Sequence, residues 1–325
     1  MTYPEFKMQL MSNIAQQAGC DAEVTIRSIR KNNGIFLDGL TVHHAGKNIA
    51  PTIYLERYWD KYREGFSIDS LTEEILEENR NYTVGRNLDI EQLLDFSRIR
   101  RKVMFRVINF DMNREFLDTV PMRRALDLAV IYYYRVEEEE LSGATCIVRN
   151  EDLERWHVTE EELWELALVN TPREEPSRIS DIYDSLREIQ ENCAAITEGN
   201  PFMTQEGSDE GWFPIDVFPV EMDRSDKVSS DRALMLVLSN KTKVFGASCM
   251  LYPEVLRPLA EELGTDLYIL PSSIHEVILM PVNELLSRDD LADMVKEINE
   301  NEVLPQEVLS DNVYRYYADR DVILL

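Results

Sequence analysis

Basic residues are scarce in this chain of 325 residues, where 34 Lys and Arg stand against 61 Asp and Glu. The formal net charge is −27, and a surface this acidic repels nucleic-acid backbones and anionic lipid headgroups. We therefore expect no binding to nucleic acid or to a membrane surface. No stretch approaches the roughly 18 apolar residues of a membrane span, and the first residues resemble an amphipathic helix rather than a signal peptide. The sequence predicts a cytoplasmic protein.

Cysteines and the short motifs of common enzymes are also scarce. The four cysteines are Cys20, Cys146, Cys193 and Cys249, and the absence of a CxxC pair argues against a Cys-rich zinc site and a disulfide framework. The chain has no GxSxG motif, no HExxH motif and no Gly-rich phosphate loop. The usual sequence signatures of serine hydrolases, zinc proteases and nucleotide-binding enzymes are thus missing, and no cofactor is expected.

Apolar residues make up 44% of the chain, which is the normal proportion for a globular protein. A Thr2–Glu5 capping box predicts a helix over 4–17, and alternating apolar residues predict a three-stranded meander over 23–54. Later stretches switch between strand and helix periods, with strands predicted at 103–110 and 125–136 and helices at 159–169 and 177–192. The predicted fold class is α+β, with antiparallel sheets flanked by helices.

Residues 244–281 are the best-defined block, and they predict strand, helix, strand, turn and strand in that order. The first strand of the block, 244–251, contains Gly246-Ala-Ser-Cys-Met-Leu, which matches Gly143-Ala-Thr-Cys-Ile-Val in residue class at all six positions. This internal match predicts repeated β-β-α modules. The alternative is coincidence among small and apolar residues.

Changes in composition divide the chain into four parts. Residues 196–231 are rich in Gly, Pro, Ser and acidic residues, which predicts an acidic linker or a long surface loop. The predicted parts are an N-terminal α+β region 1–110, a middle module 111–195, this linker, and a C-terminal module 232–325. Trp212, Phe213 and Phe218 are unusual in a solvated linker, so they are expected to pack on the same chain or on a partner protein.

The sharpest chemical hypothesis concerns Ser272, Ser273, His275 and Glu276 in a predicted strand–turn–strand junction. A histidine beside a serine and a carboxylate has the groups that nucleophilic or general-base catalysis needs. Neighbouring residues of a strand point to opposite faces, however, so His275 and Glu276 enter one pocket only if the backbone bends. The structural alternative is that the serines close the turn and His275 makes a structural hydrogen bond.

Two further groups of residues suggest metal or thiol chemistry. His43 and His44 are adjacent, and a metal site there would need ligands from distant segments, such as Asp38 or Glu56. No metal site is predicted on this basis. Cys146 and Cys249 each follow a Gly-Ala step in an apolar stretch, which favours small buried side chains over nucleophiles.

A cluster of arginines contrasts with the acidic background. Its members Arg98, Arg100, Arg101 and Arg106 are candidates for binding a phosphate, a nucleotide or an acidic partner, with Lys102, Arg123 and Arg124 as neighbours. The structural alternative is that these arginines pair with the protein's own carboxylates.

The segments LYILPSSIHEVIL and VTEEELWELALVNTP carry a family resemblance. They resemble a bacterial family of unknown function, domain of unknown function 5688, and the likeness covers almost the whole chain except residues 195–231. The order of elements is more distantly similar to that of the YtpQ-like family. Neither resemblance implies an activity, a cofactor or a catalytic residue, and both imply a bacterial cytoplasmic origin.

These observations favour a non-enzymatic binding or regulatory protein that acts through protein–protein contacts. The competing hypothesis is a hydrolase or transferase with a site around Ser273, His275 and Glu276. A third hypothesis is a sensor of phosphorylated ligands that uses the arginine cluster.

Overall fold

The computed structural model describes residues 1–82, 87, 89, 94–136, 144–183, 234–283 and 287–325. The chain forms two compact units, and the division between them falls at Leu94 and Asp95. The predicted boundary at 110/111 differs because the strand over 103–109 pairs with a strand of the predicted middle module. Antiparallel pairing joins the strands of the described sheets, and helices accompany them, which confirms the α+β class.

Unit 1 packs helices on a three-stranded sheet. Its elements are α1 (Tyr3–Gln17), β1 (Ala22–Arg30), β2 (Phe36–His44), β3 (Thr52–Tyr54), α2 (Glu56–Arg63) and α3 (Ile68–Tyr82). The Thr2 N–H donates to Glu5 Oε2 at 2.8 Å, which confirms the capping box that begins α1. The sheet order β1-β2-β3 confirms the meander. Phe6, Leu10 and Ile14 of α1 are fully buried in the core of this unit.

The first sheet of unit 2 is built around its central strand β6. Its strands are β4 (Val103–Asn109), β5 (Met122–Ala125), β6 (Leu128–Arg135) and β7 (Thr145–Ile147), and the other three pair with β6. The single strand predicted over 125–136 is therefore divided. Leu126 adopts a positive φ of 60°, and the resulting turn sends the chain back so that β5 pairs with β6.

In the described stretches of this part of unit 2, the helices are α4 (Phe96–Ile99), α5 (Arg114–Leu117), α6 (Asn150–Trp156) and α7 (Glu160–Glu174). Helix α7 includes the helix predicted over 159–169 and begins at a capping box of Thr159 and Glu162. Near its end, Thr171 Oγ1 accepts a 3.0 Å hydrogen bond from the Phe105 N–H of β4. The Val107 N–H likewise donates to Ser248 Oγ at 3.2 Å, so side chains instead of another strand accept from this buried edge of β4.

The second sheet of unit 2 has the order β13-β12-β10-β11-β9-β8. Its strands are β8 (Ser177–Asp181), β9 (Leu236–Asn240), β10 (Leu267–Leu270), β11 (Val277–Pro281), β12 (Tyr314–Tyr317) and β13 (Val322–Leu324), and the helices are α8 (Leu256–Leu263) and α9 (Arg288–Asn301). The helix predicted over 177–192 is wrong at its start, because residues 177–181 form the edge strand β8. Pairing with β9 overrides a weak local helix preference. The rest of that stretch lies outside the described residues.

The predicted strand over 244–251 is also wrong, since Gly246–Leu251 forms a 3-10 helix. The matching residues Thr145–Ile147 form the strand β7. The two segments are therefore alike in sequence and different in conformation, and the structure gives no support to repeated β-β-α modules.

One large apolar cluster of unit 2 joins both of its sheets. It includes Phe105 and Tyr132 from the first sheet, Ile269 and Tyr314 from the second, and Cys249 from the 3-10 helix. Within the described residues, none of the helices has the length and apolar character that a membrane crossing requires.

Candidate functional site

The turn between β10 and β11 carries the predicted catalytic residues. Ser273 Oγ accepts a 3.1 Å hydrogen bond from the His275 backbone N–H, which is the ordinary role of a serine in a tight turn. The His275 carbonyl accepts a 2.8 Å hydrogen bond from Ser239 Oγ of β9. These two contacts hold the backbone of the turn and place the His275 side chain beside the segment that follows β9.

The His275 imidazole is largely buried, with 13% of its side chain exposed. Its Nδ1 accepts a 3.4 Å hydrogen bond from the Phe245 N–H, so the neutral ring carries its proton on Nε2. That nitrogen lies 3.7 Å from Glu307 Oε1. The ring also stacks on Phe245, with centroids 6.0 Å apart and an interplanar angle of 17°.

Glu276 does not orient His275 in the way that the catalytic hypothesis needs. Burial raises the pKa of Glu276, and the charge of Lys243 acts in the opposite direction. The carboxylate that faces the imidazole belongs to Glu307. Glu307 lies 32 residues further along the chain than His275, so no local sequence pattern predicted this contact.

Phe245 is held in an uncommon backbone conformation by the loop that follows β9. It has a φ of 55°, and Lys243 has a φ of 58°, which is rare for residues other than Gly, Asn and Asp. Asn240 fixes the loop, because its Nδ2 donates to the Val244 carbonyl at 2.7 Å and its Oδ1 accepts from the Val244 N–H at 3.2 Å. Gly246 then passes so close to β9 that a Cβ would lie 2.2 Å from Ser239 Oγ.

Arg106 of β4 contacts the same aromatic ring. Its guanidinium carbon lies 4.1 Å from the Phe245 ring centroid, and the Tyr133 ring meets Phe245 edge-on with centroids 6.1 Å apart. We name Arg106, Tyr133, Phe245 and His275 the Phe245 cluster. Sequence reasoning identified Arg106 and His275 as separate candidates and missed Phe245 and Tyr133, which have no motif.

The predicted arginine cluster is split by the fold. Arg100 and Arg101 lie at the exposed end of α4 and line a surface depression of about 410 Å³ with Ser97, Leu166 and Asn170. Neither forms an ion pair with a residue that the structure describes. Arg98 is exposed on α4, whereas Arg106 is buried in β4. Of the neighbours, Lys102 lies 3.9 Å from Glu174 and Arg123 pairs with Glu160 and Glu161.

The residues with metal-ligating side chains are scattered. His43 and His157 are exposed, and His44 Nδ1 lies 3.5 Å from Asp21 Oδ2. Asp38 pairs with Lys7 at 2.5 Å, while its backbone N–H donates to Glu56 at 2.7 Å. In the part of the chain that the structure describes, no three His, Cys, Asp or Glu residues are grouped as a metal site.

Of the cysteines in the two Gly-Ala segments, Cys249 is buried and Cys146 is half-buried. Burial raises the pKa of Cys249 to about 12, and it also raises the pKa of Cys146. Thiols with raised pKa values form little of the reactive thiolate. Trp212, Phe213 and Phe218, the predicted partner-binding residues, lie outside the described residues.

A family model described as "Family of unknown function (DUF5688)" matches residues 3–318. The chain belongs to this family. No curated protein and no solved structure matches the chain. The match to the DUF5688 family gives no support to the more distant likeness to YtpQ-like proteins, and it brings no activity to this chain.

Proposed function

We propose that this member of the DUF5688 family is a non-enzymatic binding or regulatory protein of the bacterial cytoplasm. One observation carries the proposal: Ser273 Oγ and His275 Nδ1 each accept a hydrogen bond from a backbone N–H. A catalytic serine needs its proton taken by the imidazole, but here hydroxyl and imidazole are both engaged by the backbone. Their contacts hold the turn and the Phe245 loop in place.

The second candidate function is a hydrolase or transferase with Ser273, His275 and Glu276 in its site. It is favoured by the raised pKa of Glu276, because perturbed carboxyl groups are common in active sites. It is disfavoured by the absence of a hydrogen bond between Ser273 and the imidazole among the described contacts.

The test combines stability and turnover for His275→Ala and Ser273→Ala. His157→Ala is the matched control, because His157 is exposed at the end of α6. We expect the two turn variants to lose roughly 1–3 kcal/mol in urea unfolding and the control to lose less than about 0.5 kcal/mol. Hydrolysis of p-nitrophenyl acetate and p-nitrophenyl phosphate should not saturate in any variant. Saturable hydrolysis by the wild type, lost in a fully stable Ser273→Ala protein, would establish the enzyme instead.

The partner of this binding protein is proposed to be another protein that contacts Trp212, Phe213 and Phe218. A photo-crosslinking side chain at position 212 should yield one discrete adduct in cells. The adduct should disappear when Phe213 and Phe218 are both changed to Ser. An adduct pattern that is unchanged by those substitutions would contradict this route of binding.

A further inference from the structure

Arg106 is a buried cation without a matching anion. Only 9% of the residue is exposed, and its Nε is buried without a hydrogen-bond partner. Among the residues that the structure describes, no carboxylate forms an ion pair with its guanidinium, which lies over the Phe245 ring at 4.1 Å. A buried charge is costly unless it is paired and hydrogen-bonded. A bound anion at this position would therefore lower the free energy of the folded protein.

Tyr133 supplies a second polar group at the same place. It pairs with Met104 across the β4–β6 ladder, and Arg106 is two residues along β4 from Met104, so both side chains share one face of the sheet. The Tyr133 hydroxyl makes no hydrogen bond to a described residue. Burial raises its pKa, so it remains a neutral O–H donor at physiological pH.

Several charged groups beside Tyr133 and His275 have partners of their own. Arg135 pairs with Glu175, whose second oxygen accepts a 2.9 Å hydrogen bond from Thr242. Glu307 faces His275 Nε2. These carboxylates have partners of their own, and none of the described ones neutralises Arg106.

We propose that Arg106 and Tyr133 form a binding site for a small oxyanion, a carboxylate or a phosphate, on the Phe245 cluster. The guanidinium supplies charge and N–H donors, and the phenol supplies an O–H donor. Arg106 is 9% and Tyr133 is 5% exposed, so an anion held between these two side chains would be largely shielded from water. This inference deepens the proposed function, on which it rests, by naming the ligand class.

The loop conformation supports this assignment. Phe245 and Lys243 both adopt positive φ values, and strained backbone of this kind is concentrated at binding and active sites. The strain places the Phe245 ring under the guanidinium, where it fixes the orientation of Arg106 through a cation–π contact.

Isothermal titration calorimetry of the full chain tests the site, with inorganic phosphate and acetate as probes in a sodium chloride background of matched ionic strength. The variants are Arg106→Gln and Tyr133→Phe, and Arg100→Gln is the control, because Arg100 is an exposed arginine on the same unit. We expect saturable binding of at least one probe by the wild type. Arg106→Gln should weaken it by about tenfold or more, Tyr133→Phe by about threefold to tenfold, and Arg100→Gln by less than about twofold.

The choice of probes separates the two sources of the anion. Binding of acetate alone identifies a carboxylate ligand, and binding of phosphate alone identifies a phosphorylated one. Tyr133→Phe keeps the shape of the core, so it decides the outcome if Arg106→Gln does not fold. The inference is overturned if neither probe saturates the wild type, or if Arg100→Gln loses binding while Tyr133→Phe keeps it. Catalytic turnover with anion binding intact would defeat the proposed function and leave this site standing.

Discussion

Arg57 in unit 1 and Arg106 in unit 2 are similar side chains in different electrostatic surroundings. Arg57 lies over the Tyr58 ring at 4.8 Å, and Arg106 lies over the Phe245 ring at 4.1 Å. The Nε of each is buried without a partner. Arg57, however, forms an ion pair with Glu78, which also accepts a hydrogen bond from Tyr58. Arg106 has no such carboxylate among the described residues.

Unit 1 therefore contains a structural network, whereas unit 2 contains an arginine that can still bind an anion. In unit 1 the Glu78 carboxylate balances the charge of Arg57 and accepts from Tyr58, so the network stabilises α2 against α3 without a bound anion. In unit 2 arginine and tyrosine are present without the carboxylate. The missing member of the set is the anion that we propose as the ligand.

The largest loss of stability is expected from a substitution in the loop that carries Phe245. In Gly246→Ala the new Cβ would lie 2.5 Å from the His275 carbonyl oxygen and 2.7 Å from the Asn240 nitrogen. Backbone atoms cannot move aside as a flexible side chain does, so we expect a loss of about 3 kcal/mol in urea unfolding.

Gly65→Ala is the matched control for this substitution. Gly65 has a φ of 108° and open space around the position of a Cβ, so only backbone strain of roughly 1 kcal/mol is expected. Equal losses in the two variants would show that the close approach of the Phe245 loop to β9 is not required.

A smaller effect is expected from removing the charge of Glu175, a carboxylate that is already paired within unit 2. Glu175→Gln leaves Arg135 without its carboxylate and weakens the contact with Thr242, and Glu175 is 2% exposed. We expect a loss of about 1 kcal/mol in chemical denaturation, because the buried carboxylate loses its charge while Arg135, with 36% of its side chain exposed, is partly screened by water. An unchanged free energy of unfolding would mean that solvent already satisfies Arg135. Pairing with a carboxylate would then not distinguish Arg135 from Arg106.

The smallest effect concerns Glu276 and depends on pH. Because burial raises its pKa above the ordinary 4.5, the folded state binds this proton more tightly than the unfolded state does. Stability therefore falls as the pH rises from about 4.5 through the raised pKa. Glu276→Gln should be more stable than the wild type at pH 7 and equally stable below about pH 4. Unfolding curves at both pH values check this, and a Gln variant that is less stable at pH 7 would refute it.

Local signals predicted those elements that depend on local chemistry. The predicted capping box of Thr2 and Glu5 begins α1, and the helix predicted over 159–169 forms as part of α7, because a helix start depends on residues within one turn. The meander of unit 1 followed from the same kind of short-range pattern. By contrast, Ser177–Asp181 became a strand through pairing with β9, a partner distant in sequence.

In the candidate site, too, local features were predicted and contacts between distant segments were not. Ser273 and His275 were correctly placed in a turn, but the groups that engage the imidazole, Phe245 and Glu307, come from other segments. Arg98 to Arg106 looked like one cluster in the sequence. The start of β4 separates them, because it buries Arg106 in the sheet and leaves Arg100 and Arg101 at the surface.

The comparison of Arg57→Met with Arg106→Met in anion-free buffer tests the central claim most directly. Removing a paired arginine leaves Glu78 uncompensated, so Arg57→Met should lose roughly 1–3 kcal/mol of unfolding free energy. Removing an unpaired buried cation relieves its desolvation cost, so Arg106→Met should lie within about 1 kcal/mol of the wild type or be more stable. A loss at Arg106 as large as that at Arg57 would contradict the account, because it would show that Arg106 already has its counter-charge within the protein.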